Sequence, residues 1–276
     1  MRNMSQKVKK KHYYRQKDVV AIEEDATHEF KGHRNLAVEE LPPWTKERKT
    51  MKASRKAVSR SLNAFLNTGK GGTVYLGVID NGTVLGLKLT LSQKDHVVAS
   101  LQDLFSRYHP PVPSHRYKVK FVPVLGQSST EEEVLRLISK TDSDYSDTSQ
   151  RHRAHEFRTH HYCWCDKDYV AQLNMGVLSP DYVVEITIKP WDPDDPSNTD
   201  GVGMVVNLHP MHEDEEGNVY MRRQASTVKY SLNDIAQLTR QQVKEECEAE
   251  IRRLKTEIAS LSCQSDSEDQ NTNHQP

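Results

Sequence analysis

Three carboxylates and a lysine are the residues of this chain best suited to chemistry. Glu24, Glu29 and Lys31 lie in Ile22-Glu23-Glu24-Asp25-Ala26-Thr27-His28-Glu29-Phe30-Lys31, and Asp80 ends Gly77-Val78-Ile79-Asp80 about fifty residues on. Clustered carboxylates repel, so a fold spreads them unless a cation or a proton-transfer task holds them together. A divalent ion that positions a phosphodiester, Mg²⁺ or Mn²⁺, is the simplest such task, with Glu24, Glu29 and Asp80 as its ligands. Lys31 would then neutralise charge developing on a phosphate oxygen. The alternative is a patch of exposed surface acids that also includes Glu23 and Asp25.

The spacing says what must position them. Glu24 and Glu29 are five apart, which puts them on opposite faces of one strand and well apart around one helix. They converge only if the chain turns between them. Asp25-Ala26-Thr27 is a plausible turn, followed by a strand His28–Lys31 in which Glu29 and Lys31 share a face while Phe30 enters the core. Asp80 falls just past the β-branched strand Thr73–Val78, where side chains emerge at a sheet edge. If the two strands lie side by side, all three carboxylates can surround one ion.

Cations crowd the neighbouring sequence. From Thr45, read as an N-cap, to Asn67 the pattern is helical, with Val58, Leu62, Phe65 and Leu66 on the apolar face. The other face carries Lys46, Arg48, Lys49, Lys52, Arg55, Lys56 and Arg60 against Glu47 alone, more than i,i+4 pairing can use. Its two readings are a phosphate-tracking face and a plain solvated one. Residues 1–18 form a basic arm around Tyr13 and Tyr14, read as a partner-binding or a simply solvated terminus.

The remaining elements imply an α+β domain. Asp18–Ala21 reads as a short strand, Asp80-Asn81-Gly82 as the turn of a hairpin into Thr83–Leu87, and Ser92–Tyr108 as a second amphipathic helix. Strands follow at Arg116–Leu125, Tyr182–Ile188, Val202–Leu208 and Asn218–Arg223, and a helix begins at Ser231. Residues 126–160 read as a polar, mobile insertion with a short helix at Glu131–Ser139. Cys247, Ile251, Leu254, Ile258 and Leu261 alternate spacings of four and three, the seam of a short coiled coil over 243–263 or of a helix packed on its own domain. Residues 264–276 are expected to be disordered.

Of the 276 residues, 35% are hydrophobic, and the mean hydropathy of −0.78 leaves no run long enough to span a membrane. The net charge of −1 conceals basic residues gathered in the first sixty positions. Four cysteines are too few for a disulfide scaffold, which together with the lysine-rich start points to the cytoplasm, with the nucleus as the alternative. His161-x-Cys163-x-Cys165 is the tightest His/Cys cluster. On a strand it would place all three side chains on one face, as zinc ligands or as ordinary half-buried residues.

Glu24-x-x-x-x-Glu29-Phe30-Lys31, Asn63-Ala64-Phe65-Leu66-Asn67-Thr68 with Gly71-Gly72, the strand Val74–Asp80 and the late run Tyr220-Met221-Arg222-Arg223-Gln224-Ala225-Ser226-Thr227 together resemble the divergent AlbA-type (AlbA_2) domain of the Schlafen family. The likeness covers about residues 19–240, and in length the chain resembles the compact, Schlafen-like branch. It implies an α+β core with a mixed or antiparallel sheet packed by helices, and a metal-dependent endoribonuclease cutting structured or precursor RNA such as tRNA or small-RNA precursors. By position the family's catalytic carboxylates fall on Glu24, Glu29 and Asp80 and its lysine on Lys31. Arg222 and Thr227 would share a sheet, with Arg222 reaching RNA beside Lys46, Lys49, Lys52, Arg55, Lys56 and Arg60.

Two departures stand out. The family's core is usually two related lobes forming a trough, whereas this chain has one set of motifs, so a second copy or a related subunit would complete it. The family's structural zinc site uses a His-x-Cys pair after the second helix, and here that stretch reads His115-Arg116-Tyr117. Two other functions stay open: a non-catalytic nucleic-acid-binding or assembly subunit, and an ATP-binding regulator, although no GxxxxGK[ST] loop is present.

Overall fold

The computed structural model describes residues 13–45, 56–130, 132–133, 153–158, 163–198 and 208–271. The fold is α+β. Its main sheet runs β1 (Tyr14–Arg15), β5 (Tyr117–Leu125), β6 (Asp181–Ile188), β3 (Gly72–Leu76), β2 (His28–Lys31), and β4 (Leu87–Lys88) also pairs with β6. The sheet is mixed: β1 is parallel to β5 and β2 to β3, while β6 is antiparallel to both β5 and β3. Hence β6 is central, and its Tyr182, Val183, Val184, Ile186 and Ile188 are all buried.

The two faces of β2 and β3 have different work. Glu29 pairs with Val74 and Lys31 with Leu76, so these four residues share a face. That face lies under helices α1 (Val58–Asn67) and α2 (Leu91–Ser106), where Val74 and Leu76 join Leu62, Phe65, Leu66, Leu101 and Phe105 in the main core. Phe30 and Tyr75 point the other way into a smaller cluster with Val78, Val84 and Val183. The expected strand, its buried Phe30 and the side-by-side pairing with the Val74 strand are all present.

Local chemistry sets the helix ends. Thr90 closes a capping box at α2, its hydroxyl accepting from Gln93 N at 3.2 Å while Gln93 Oε1 accepts from Thr90 N at 3.1 Å. Among the described residues the first α-helix begins at Val58, and the cation-rich stretch 46–55 lies outside them. Pro43–Thr45 is a 3-10 turn, Thr45 donates its hydroxyl to Pro42 O instead of capping, and α1 begins at Val58 after an extended Ala57. Lys46, Lys49, Lys52 and Arg55 lie outside the described residues, as do 134–152 of the insertion and most of the expected Val202–Leu208 strand.

Three other expectations change. The end of the basic arm belongs to the sheet as β1, where the Tyr14 hydroxyl donates to buried Glu185 at 2.8 Å. Asp18–Ala21 contributes one bridge, Val19 to Thr83, and the hairpin after Asp80 shrinks to the Val78–Val84 bridge because Leu87–Lys88 leaves to pair with β6. Cys163 caps a helix, α3 (Trp164–Asn174), in place of a strand. A two-stranded sheet of β7 (Val219–Arg223) and β8 (Ser226–Tyr230) adds a strand beyond those expected.

The chain divides into two compact units, 1–191 with 210–229, and 192–209 with 230–276. The first holds the sheet and α1–α3. The second is dominated by α4, Leu232–Asn271, a continuous 40-residue helix. Among the described residues no helix is long and apolar enough to cross a membrane.

Candidate functional site

A cleft of about 660 Å³ opens between β2, α1, the turn after β3 and the β7–β8 hairpin, lined by Glu24, Glu29, Lys31, Lys56, Arg60, Ser61, Asp80, Arg222 and Thr227. Four residues singled out as catalytic, three of them carboxylates far apart in sequence or on opposite sides of a turn, thus border one space. The turn does what the spacing requires. Asp25 Oδ1 accepts from Thr27 N at 2.6 Å and from His28 N at 2.8 Å, which folds the chain back on itself. Slight burial would raise the Asp25 pKa, but those bonds and the His28 ring outweigh it and hold it down at about 2. Across the turn, Glu24 Oε1 accepts from Phe30 N at 2.8 Å, pinning the first carboxylate beside the second.

Glu29 is the most constrained group. Its side chain is 10% exposed, with Lys31 Nζ on Oε1, Arg222 Nη1 against Oε2, and the Ser61 hydroxyl donating to Oε1 at 3.1 Å. The Arg222 contact is an ion pair without the alignment of a hydrogen bond. Burial raises the Glu24 pKa; the Phe30 amide offsets part of this, while the charges of Glu29 and Asp80 push it further up against Lys31. Asp80 is exposed and makes no ion pair among the described residues.

Arg222 has a different task from the RNA contact expected of it. Its side chain is 1% exposed. Nε donates to Asp25 O at 2.9 Å, Nη2 to His28 O at 2.9 Å and Nη1 to Thr227 Oγ1 at 3.2 Å, and the guanidinium lies 5.4 Å from the centre of the Phe65 ring. It braces the turn that presents the acids. Among the described residues lining the cleft, Lys56 and Arg60 are the cations open to a ligand, and Arg60 reaches Glu216 at 3.4 Å and lies over the Tyr220 ring.

Supports for Arg222 were not distinguished by charge or spacing. Asn63 and Asn67 are wholly buried on α1. Asn63 Oδ1 accepts from Tyr220 N at 2.8 Å, and Asn67 Nδ2 donates to His212 O at 2.9 Å and Tyr220 O at 3.1 Å. Two amides thereby fasten β7, and Arg222 with it, onto α1. At Gly72 the Phe65 ring lies so close that a Cβ would meet it at 2.6 Å. The Asn-Ala-Phe-Leu-Asn and Gly-Gly motifs are therefore scaffolding for the Arg222–Glu29 pair.

A second group converges more tightly. Ligand atoms of His96, His155, Cys163 and Cys165 all lie within 4.8 Å of one another. Cys163 Sγ is 3.5 Å from His155 Nδ1, and Cys165 Sγ is 3.6 Å from His96 Nδ1. His155 Nε2 meets Asp95 Oδ2 at 2.9 Å, the carboxylate support usual behind a metal-bound imidazole, and its ring stacks on Trp164. Burial pushes the His96 imidazole down to about 3, helped by Arg34 and His155, and pushes the Cys165 thiol up. Of the expected cluster, Cys163 and Cys165 meet two histidines that the sequence reading did not pair with them, from α2 and from the insertion, while His161 lies outside the described residues. His115-Arg116 forms a 3-10 turn elsewhere. Two thiols and two imidazoles within tetrahedral reach fit zinc by donor type and number.

The oxygen donors of the cleft suit a hard divalent ion instead. Glu24 retains Oε2 and Asp80 is open, while both Glu29 oxygens already face cations. Among the described residues these carboxylates do not converge as the His/Cys group does.

A mixed sheet under two helices carries an acidic and basic cleft at one edge. The sequence pattern of the Schlafen, AlbA_2 domain matches residues 24–231, three quarters of the chain, from the first site carboxylate to the start of α4, and the chain belongs to that family.

Proposed function

We propose that the chain is a metal-dependent endoribonuclease acting on structured or precursor RNA, such as tRNA or small-RNA precursors. The observation that carries this reading is the meeting of Glu24, Glu29, Asp80 and Lys31 in one cleft that also exposes Lys56 and Arg60. Lys56 and Arg60 bind the phosphate backbone and set its register. Glu24, Glu29 and Asp80 would hold Mg²⁺ or Mn²⁺, which when bound supplies Lewis-acid polarisation of the scissile phosphate. Lys31 balances the carboxylates and donates to a phosphate oxygen as negative charge builds there. Arg222 and Ser61 fix Glu29, and the Asp25 turn fixes Glu24. In the second centre, His96, His155, Cys163 and Cys165 would hold a zinc ion that ties α3 to α2.

The test is cleavage of a hairpin or tRNA-like RNA by the purified full chain with Mn²⁺, set against Asp80→Ala and Glu29→Ala. Loss in both variants with unchanged circular dichroism supports the reading; equal cleavage by variants and wild type refutes it. A second reading is favoured by one observation, the occupation of both Glu29 oxygens by Lys31 and Arg222. In it the chain binds nucleic acid without cutting, and RNA binding survives Glu29→Ala while no metal produces cleavage.

A further inference from the structure

Helix α4 carries an apolar seam that faces solvent. Ile251, Leu254, Ile258 and Leu261 are 50%, 43%, 66% and 58% exposed, and Cys247 continues the row one step earlier. Their spacing of four and three is the d–a–d–a–d of a heptad, with Ile at a and Leu at d beyond the cysteine. We infer that this seam is the docking face for a second copy of the chain, and that the two α4 helices form a parallel, in-register, two-stranded coiled coil.

Number and direction of strands follow from the residues. β-Branched residues at a with Leu at d favour two strands, and Lys244 at the preceding a position penalises larger bundles, where its charge would be enclosed. Flanking charges set direction. In a parallel pair each g residue meets the e residue five further on in the partner, so Glu250 meets Lys255 twice by symmetry. In an antiparallel pair g meets g and e meets e, which sets Glu250 against Glu257 and Lys255 against its own copy. Like charges so placed are repulsive. Lys255 also lacks an acid three or four positions away on its own helix and makes no ion pair among the described residues. Glu250 is held by Arg253 at 2.6 Å on its own helix and keeps its place beside the seam. Parallel pairing brings both N-terminal ends of α4 together and gives an assembly with two carboxylate clefts.

The proposal is independent of the nuclease reading and is tested without RNA. Sedimentation equilibrium of the full chain carrying Cys263→Ser, from about 1 to 200 μM, should show a monomer–dimer equilibrium set by mass action. Leu254→Asp, at an exposed position, should leave a monomer whose melting temperature matches that of wild type diluted below its dimer dissociation constant. Lys255→Glu should weaken the dimer by about tenfold, and Glu250→Lys with Lys255→Glu should restore it. With diamide as oxidant, two Cys247 thiols should give up two electrons and two protons and form an intersubunit disulfide, because facing d residues lie within its reach. Cys247→Ser should abolish the cross-link. A monomer at every concentration, or a dimer indifferent to Leu254→Asp, overturns the pairing. A trimer overturns the strand number, and a dimer without the Cys247 cross-link or the charge-swap rescue overturns the parallel register.

Discussion

The carboxylate cleft and the His/Cys cluster solve opposite electrostatic problems. In the cleft, charged groups stand close together at a half-open surface, and protein cations already neutralise the most buried of them, with Lys31 and Arg222 on Glu29. In the cluster, two imidazoles and two thiols are packed together, burial disfavours the charged forms of His96 and Cys165, and the four donor atoms lie within 4.8 Å of one another. The carboxylates of the cleft do not converge in this way, and Glu29 and Asp80 push the Glu24 pKa up. The two sites thus differ in kind: one gathers donor atoms tightly, the other is a network of competing ion pairs.

Loss of the zinc proposed for the His/Cys cluster should give the largest effect. Structural zinc contributes on the order of 10 kcal/mol in small metal-dependent domains. In a domain with its own core, Cys165→Ser or a strong chelator should lower the melting temperature by about 10 °C or more and release about one zinc per chain by elemental analysis. An unchanged melting curve with no zinc present would break the contrast. Arg222→Met should come next, at about 3–5 kcal/mol by denaturant titration, because it leaves Glu29 buried without its partner. Pairing it with Glu29→Gln should recover part of that loss, whereas a ligand-contacting arginine would give none back.

Glu24→Gln sharpens the comparison in the other direction. Cleavage should fall by about a hundredfold, yet stability at neutral pH should rise. The folded-state pKa of Glu24 is raised, so the folded chain holds its proton to higher pH than the unfolded chain does. Its penalty is absent below the unfolded value and sets in as pH rises through the folded one, and the variant's advantage should grow with it. Melting temperatures across that range test this; a variant less stable than wild type at neutral pH would count against repulsion in the cleft. The smallest effect belongs to Asp25→Asn, at an exposed position. Asp25 has a depressed pKa, so its contribution is present above the unfolded carboxylate value and is lost as pH falls through about 2. The difference between wild type and Asp25→Asn should vanish over that acid window, as followed by circular dichroism.

Much of the cleft was legible because its parts are local. A five-residue separation demands a turn, Asp25 and Thr27 are turn formers, and Phe30 between two polar residues fixes which face is buried. Glu29 and Lys31 on one face, with the Val74 strand alongside, follow from these three facts. Arg222 was misjudged because an arginine far away in sequence looks the same whether it meets a phosphate or a buried carboxylate. Its burial depends on Asn63, Asn67, Phe65 and Gly72, whose hydrogen bonds and close approach exist only after β7 has docked on α1. The cluster was half seen. Cys163 and Cys165 are close in sequence, but His96 lies on another helix and His155 in a polar stretch with no periodicity, and adjacency favoured His161 over both.

By itself the sequence determined the α+β class, the strand that carries Glu29 and Lys31, the turn that returns Glu24 to them, the family signature and the heptad seam of α4. Each depends on side-chain types at short, fixed intervals, where periodicity and turn chemistry act directly. The tertiary structure alone decided that Arg222 braces Glu29, that α1 begins at Val58, and that two histidines from separate segments meet Cys163 and Cys165. Those outcomes depend on which surfaces come together in the folded chain, nearly two hundred residues apart for Arg222 and Glu29, and on which buried charges and donors must then find partners.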